Sequence, residues 1–443
     1  MNENKNQTML FKAFSGKKIE VDFKGGNTSS DAGLLLLRES EKRIGLFQKI
    51  SDIIPDQRHT GYVRHEIRKL LSQRVLQIAA GYEDANDSDF LRHDPILKIA
   101  CDSDKTLASQ PTMSRFENRL SRSTLYRLAE ALLEIFIESY DKAPEGIILD
   151  FDDTGDRTYG HQQLSLFNSY HDGYCFMPMH IYEGKSGKLI TTILRPGKRP
   201  SGAEIVMILK RIVRRLREVW PKVGILLRAD AHYSAPEVYE YCENNNLKYA
   251  LGFKAYAPLM EKAQGLIEQA RQFYSESQKP VKLFSEYEYQ AGSWSKPQRI
   301  IVKAECNGKG PNTRFIITNL DHQRPRFIYQ TIYCGRGAME LMIKAHKNHL
   351  ASDRTSCHRF EANQFRLFMH SMAYVLLHDF RERYLQKTIL AKAQFDTIRG
   401  KLIKIGAQIH YLATKIKIHL PTSCPYQEEY RQIYHVCTAS GYP

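Results

Sequence analysis

The stretch GIILDFDD, residues 146–153, is an apolar run that closes in three carboxylates. Runs of this kind form strands buried on both faces of a sheet. A second one, VGILLRAD (223–230), also ends in an acid. Between them, 174–183 and 188–195 read as two further strands joined by the turn EGKSGK. The loop RPGKRPSG (195–202) then leads into a basic helix over 206–219 carrying Lys210, Arg211, Arg214, Arg215 and Arg217. A helix near 236–245 and a strand YALGFKA (249–255) follow. This alternation predicts an α/β core. Ligands of open sheets collect at strand ends, which makes Asp152 and Asp230 candidate site residues.

Outward from this core the texture changes. Residues 18–23 (KIEVDF) alternate like a short strand. Helices are predicted over 30–50, with Ser29, Ser30 and Asp31 as candidate N-caps, over 62–81 and over 122–140. The first 145 residues therefore read as mostly helical, with the change at Pro144. Residues 281–333 hold four strand-like stretches, KLFSEYEYQ, QRIIVKAE, RFIITNL and FIYQTIY. A helix is expected from about Arg336 to Leu350, and a basic, mainly helical region to about residue 420. The end of the chain, with Pro421, Pro425 and Pro443, reads as a loose tail.

The chain has 443 residues, 42% hydrophobic and 26% charged, as expected of a folded protein of two to four domains. Lys and Arg number 64 against 49 Asp and Glu, a net charge of +15. A surplus of that size points to a polyanionic partner, most often nucleic acid. Anionic membrane is the competing partner, but no apolar run reaches the length of a spanning helix. The stretch MNENKNQTMLFKAF lacks the layout of a secretion signal. The eight cysteines are scattered without any C-x-x-C pair, which gives neither a zinc ribbon nor a disulfide framework. A cytoplasmic protein with reduced thiols is expected.

The segment TIYCGRGAMELMIKAHKN (331–348) carries the most chemistry. Projected on an ideal helix with Tyr333 at zero, Arg336, Glu340, Lys344 and Lys347 fall at about −60°, −20°, +20° and −40°. One acid among several cations on a narrow arc suits one metal ligand and several phosphate grips laid along a nucleic-acid backbone. Together, Asp152, Asp230 and Glu340 would offer hard oxygen ligands for Mg²⁺. A pair of such ions would activate a water or 3′-hydroxyl on one side of a phosphodiester and stabilise the leaving oxygen on the other.

The spacing Tyr333-x2-Arg336-x3-Glu340-x6-Lys347 resembles the Y-(2)-R-(3)-E-(6)-K signature of a large group of bacterial insertion-sequence transposases with a DDE site. The wider texture is similar too: LDFDDT, HDGYCFMPMHIYEG, LRPGKRPSGAE, LLRADAHYS and NHLASDRTSCHRFEANQFRLFMH, over roughly residues 145–375. The resemblance implies a ribonuclease-H-like catalytic core over 146–256 and 334–375. It also implies a β-rich insertion over 257–333. A mostly helical DNA-binding region over 1–145 and a basic helical region over 376–443 flank them. It further implies catalytic and metal-binding Asp152, Asp230 and Glu340 with two Mg²⁺, Mn²⁺ being able to substitute. Asp152-x-Thr154 fits the family's Asp-x-Thr pattern, while Asp150 shares the face of Asp152 two residues earlier. Asp152 is the choice, with Asp153 and Asp156 as turn residues. Tyr333, Arg336 and Lys347 inherit a phosphate-clamp role, and Trp294, in the insertion, a base-stacking one. The implied partners are double-stranded DNA, as transposon ends and target, and a second copy of the chain on DNA. The implied location is the bacterial cytoplasm at the nucleoid, with no membrane.

Further DNA contacts are sought in QPTMSRFENRLSR (110–122), where a helix would put Arg115, Asn118 and Arg119 on one face, and Arg and Asn are the common readers of guanine and adenine. Lys344, the basic helix of 206–219, Arg354 and Arg366 are additional candidates, and His232 is a neighbour of the metal site. Two rival functions remain. Asp150-x-Asp152-x-Thr154 also satisfies the D-x-D-x-T opening of haloacid-dehalogenase-like phosphatases. Those also need a later paired-acid motif, whereas Asp230 is followed by Ala231 and His232. The other rival is a catalytically silent DNA-binding protein.

Overall fold

A computed structural model describes residues 8–292 and 294–438. The chain divides into two compact units, Met1–Phe116 with Leu376–Pro443, and Glu117–Val375.

In the first unit, Met9–Phe14 and Lys17–Val21 pair as an antiparallel hairpin. Asn27–Ser29, Ala407–Tyr411 and Ile416–His419 form a three-stranded antiparallel sheet. Both ends are mostly helical, as expected, and these short strands add to the one expected at 18–23. The helix expected over 30–50 is two, Leu34–Ile44 and Leu46–Ser51, separated by Gly45 at φ +66. None of Ser29, Ser30 and Asp31 caps it. Gly33 takes the N-cap position without a side-chain bond. The chain there lies against 402–405: Ala32 N and Gly33 N donate to the Ile405 and Ile403 carbonyls, and a Cβ on Gly33 would fall 1.8 Å from the Leu402 carbonyl oxygen. Asp31 instead pairs with Lys404 at 2.8 Å. Ile67–Ala80 is helical, as its apolar stripe predicts. The expected loose tail contains the helix Gln427–Thr438. Pro443 and the first seven residues of the stretch read for a secretion signal lie outside the described residues.

The second unit is built on eight strands: β1 (Gly146–Asp153), β2 (Met179–Glu183), β3 (Leu189–Ile193), β4 (Gly224–Ala229), β5 (Lys248–Phe253), β6 (Val281–Tyr289), β7 (Gln298–Asn307) and β8 (Gly310–Thr318). They form one sheet in the order β6-β7-β8-β5-β4-β1-β2-β3. The first three strands make an antiparallel meander, and β4 runs parallel to β1 and to β5. The order 3-2-1-4-5 with those directions is the ribonuclease-H-like arrangement. The expected β-rich insertion is present as β6 to β8. It is not a free-standing module, because β8 pairs antiparallel with β5 and continues the core sheet.

One face of the sheet, with Leu149, Phe151, Leu227 and Ala229, packs on helices α1 (Arg122–Glu138), α2 (Gly202–Val219), α3 (Pro236–Asn244), α4 (Ala257–Lys262) and α5 (Gln264–Ser277). The expected boundary near 145 therefore falls inside this unit. Helix α1 starts at Ser121, whose hydroxyl accepts from Thr124 N, and its apolar stripe covers β3. On the other face, Ala250, Ile301 and Ile316 pack on Ile328 and Tyr329. The last strand-like stretch, FIYQTIY, is thus a correction: Ile328–Tyr333 is a π-helical turn. Its alternating bulky residues suit either structure, and Pro325 at the first helical turn favours the helix.

Candidate active site

Parallel pairing of β1 with β4 fixes the centre of the site. Asp150 stands opposite Arg228, and Phe151 opposite Ala229. The next residues, Asp152 and Asp230, are therefore neighbours at the carboxyl ends of adjacent strands. Side chains two apart on a strand share a face, so Asp150 and Arg228 form one rung on that face and Asp152 and Asp230 the next.

The first rung is closed. Arg228 Nε and Nη2 donate to both oxygens of Asp150 at 2.7 and 2.6 Å, and both side chains are buried. The third nitrogen, Nη1, donates to the Ile332 carbonyl at 2.8 Å. Arg228 thus ties two strands to the helical run that follows Pro325. Two glycines make room for it: a Cβ on Gly184 would lie 2.4 Å from Nη2, and one on Gly335 2.6 Å from Nη1. The sequence reading missed Arg228, although a lone Arg inside an apolar strand, two residues before a strand-end acid, was the available signal. Asp150, the nucleophile that the phosphatase motif requires, has both oxygens committed to Arg228.

The second rung is open. Asp152 Oδ2 accepts from Arg336 Nη1 at 2.7 Å. Burial nevertheless raises the Asp152 carboxyl to about 7, since Arg336 pulls it down less than burial and the negative charges of Asp230 and Asp153 push it up. Asp230 Oδ1 accepts the His232 backbone N–H at 2.8 Å. His232 also has Nδ1 3.4 Å from Asp153 Oδ1 and 3.9 Å from Asp230 Oδ2. The bond to Asp153 comes first among the causes that raise the His232 pKa. Arg199 holds this turn from outside, donating to the carbonyls of Ala231 and His232 at 2.9 and 3.0 Å. Tyr333 reaches the same place: a Cβ on Gly252 would meet its hydroxyl at 2.8 Å and the Ala231 backbone N at 2.7 Å. Gly252 is what lets the tyrosine and the Asp230 turn approach each other.

Asp153 and Asp156 are not surface turn residues. The Asp153 side chain is buried, and its Oδ2 has no hydrogen-bond partner. Asp156 is buried in the short strand Asp156–Arg157, paired with Gly173–Phe176. Lys347 Nζ bonds the Gly155 carbonyl and lies 3.3 Å from Asp156 Oδ1. Burial pushes the Asp156 carboxyl up to about 7 against the pull of Lys347. The folded chain therefore keeps a proton that the unfolded chain loses between about pH 4 and pH 7, and stability should fall as pH rises through that window. Urea titrations across the window should show Asp156→Asn, which cannot ionise, lacking a slope worth a few kcal/mol; an unchanged slope would contradict this.

The run 331–348 is not one continuous α-helix. After Ile328–Tyr333 come a 3₁₀ turn (Cys334–Arg336), the α-helix α6 (Gly337–Lys344) and a π-helical turn (Ala345–His349). Each change of pitch rotates the residues beyond it. Tyr333 and Arg336 face the strand-end acids, Lys347 faces Asp156, and Glu340 and Lys344 are exposed. Among the described residues, no three or more His, Cys, Asp or Glu side chains are gathered to hold a metal ion. Asp152 and Asp230 supply two hard oxygen donors of the kind Mg²⁺ takes. The third expected ligand, Glu340, is one turn beyond Arg336 on the helical run that Arg228 anchors.

Several of the remaining candidates have partners within the chain. Trp294 is half-buried, edge-on to Tyr239, Phe253 and Tyr289. The helix holding Arg115 ends at Glu117, so Asn118 and Arg119 do not share its face. Asn118 O accepts from Arg359 at 2.7 Å. On α2, Arg211 lies over the Tyr126 ring, Arg214 is 3.6 Å from Glu218, and Arg215 pairs with Glu134 and Glu218. Arg366 is buried and donates to Ser356.

The family profile described as "Transposase DDE domain group 1" matches residues 11–440, and the chain belongs to that transposase family. The cryo-EM structure of the piggyBac transposase synaptic complex with hairpin DNA is similar over 85% of this chain and 80% of that chain, at 10% identity and a TM-score of 0.43. No curated protein matches the chain. Among the described residues no helix is long and apolar enough to cross a membrane.

Proposed function

We propose that the chain is an insertion-sequence transposase of the bacterial Y-R-E-K group, which binds the terminal inverted repeats of its element, cuts at their ends and joins the freed 3′-hydroxyl to target DNA. The observation that carries this reading is the open rung at the ends of β1 and β4. There two acids stand side by side, with an arginine bonded to one of them. Asp152, Asp230 and Glu340 would hold two Mg²⁺, which supply Lewis-acid activation of the attacking oxygen and charge stabilisation of the leaving one.

The chain's own residues account for the rest. Arg336 neutralises Asp152 in the free protein, and a phosphate oxygen would compete for the same guanidinium. Tyr333 would line the phosphate path beside Asp230. Lys347 and the exposed Lys344 add positive charge along the same run, within a chain of net charge +15. The proposed organisation keeps 146–256 and 334–375 as catalytic core, 257–333 as insertion, 1–145 as the DNA-binding region and 376–443 as a basic helical C-terminal region. Two ends must be processed together, so two copies are proposed on DNA, in the cytoplasm at the nucleoid. The test is incubation of the full chain and Mg²⁺ with the DNA flanking its coding region. Strand cleavage at inverted repeats is expected; binding without cleavage would support the silent DNA-binding alternative.

A further inference from the structure

Within residues 337–349, the stretch that carries Glu340 and Lys347, only Met339 and His346 are buried. Met339 makes apolar contacts, which fix no direction. His346, in the π-helical turn after α6, is fully buried and makes directed bonds. The Tyr182 hydroxyl of β2 lies 2.9 Å from His346 Nδ1. On the other side of the ring, His346 Nε2 lies 3.4 Å from Ser371 Oγ on helix α7 (Phe360–Tyr384). The imidazole is also packed between two rings, Tyr374 stacked at 5.3 Å and His180 edge-on at 4.9 Å.

The direction of each bond follows from its neighbours. Ser371 Oγ donates to the Leu367 carbonyl at 2.8 Å. Its two lone pairs therefore receive the Thr192 hydroxyl, at 2.7 Å, and His346 Nε2–H. Burial, and then the neighbouring His180 and His370, keep the imidazole neutral by holding its pKa well below the ordinary value. A neutral ring with its proton on Nε2 has a bare Nδ1, so Tyr182 donates to Nδ1. Tyr182 itself stands opposite Asp150 on β1. Lys347, one residue beyond His346, bonds the Gly155 carbonyl and faces Asp156. The Tyr182 bond thus ties β2 to the far end of the run, as Arg228 ties β4 to its beginning through the Ile332 carbonyl. Glu340 lies between the two ties in sequence. Apolar contact at Met339 alone would let α6 turn about its axis; a directed bond at His346 resists that turn.

We infer that Tyr182 is a positioning residue for the proposed cleavage: through His346 it sets the rotation of the run that presents Glu340 and Lys347. The effect on cleavage rests on the transposase reading, whereas the tie itself can be read without DNA.

Tyr182→Phe removes one oxygen and leaves the ring. Amide hydrogen exchange of the full chain, without DNA, should then quicken roughly tenfold over 337–349, the factor set by one ordinary hydrogen bond, with β1 and β4 unchanged. Mg²⁺-dependent cleavage of the DNA flanking the coding region should fall roughly tenfold to a hundredfold, the scale of a small misplacement of a reacting group, with binding of that DNA retained. His346→Asn puts an amide oxygen in reach of the Tyr182 hydroxyl, so it should stay closer to the unaltered chain in both assays than His346→Leu. A residue that only filled space would give the opposite order. Should Tyr182→Phe fold poorly, the double variant Tyr182→Phe/His346→Leu, which removes both polar partners, carries the same two measurements. Unchanged exchange over 337–349, cleavage equal to that of the unaltered chain, or His346→Leu outperforming His346→Asn would each overturn the inference. Absence of cleavage by the unaltered chain would overturn the transposase reading instead, and the exchange result would still decide the tie.

Discussion

Arg228→Met should lower folding stability by about 3–5 kcal/mol, the usual consequence of stripping the partner from a buried ion pair. Asp150 would keep its charge in the sheet interior without either of its two charge-assisted bonds. The Ile332 carbonyl would lose its donor in the same step. The double variant Arg228→Met/Asp150→Leu removes the orphaned charge and should recover much of the loss, because apolar replacement of a whole buried pair is often neutral or stabilising. Chemical denaturation of the two variants measures both effects. The double variant separates stability from positioning. It restores an apolar rung but not the tie to Ile332, so end-DNA cleavage should stay depressed in a protein that is again well folded. Recovery of cleavage along with stability would reduce Arg228 to a purely structural residue.

Asp230→Asn should reduce cleavage of end DNA by roughly 10²–10³-fold, the scale found when one preorganised charge-stabilising group is removed. The amide keeps the shape and retains an oxygen to accept the His232 N–H, so folding should be little altered. Binding of end DNA should persist or strengthen, since one negative charge leaves a surface that faces phosphates. A parallel fall in binding and cleavage would point to a positioning role for Asp230. A loss confined to cleavage is the outcome expected of a residue that acts on the reacting groups.

The strand-end acids were legible because their signal is local. An apolar run closing in an acid reads the same in a sequence as in a sheet, and parallel pairing then brings two such ends together. The order strand, strand, helix followed from the same patterns. What escaped depended on partners distant in the chain. Arg228 looks like an interruption of an apolar strand until Asp150 and the Ile332 carbonyl stand against it. Gly33 displaces three better capping residues only because 402–405 lies against it. The angular projection of 331–348 assumed one pitch, whereas the run passes through π, 3₁₀, α and π turns. Packing on Ala250, Ile301 and Ile316 settles FIYQTIY as helix, a choice that its residues alone leave open.

The central claim is that Glu340 completes a carboxylate trio with Asp152 and Asp230 when DNA and a divalent cation are present. Glu340 is exposed in the free chain, so Glu340→Gln removes a charge without disturbing any packed contact. The most direct measurement is Mg²⁺-dependent cleavage of end DNA by Glu340→Gln, with end binding by the same preparation followed in parallel. Normal binding with cleavage abolished is the result predicted here; cleavage at the rate of the unaltered protein would contradict it.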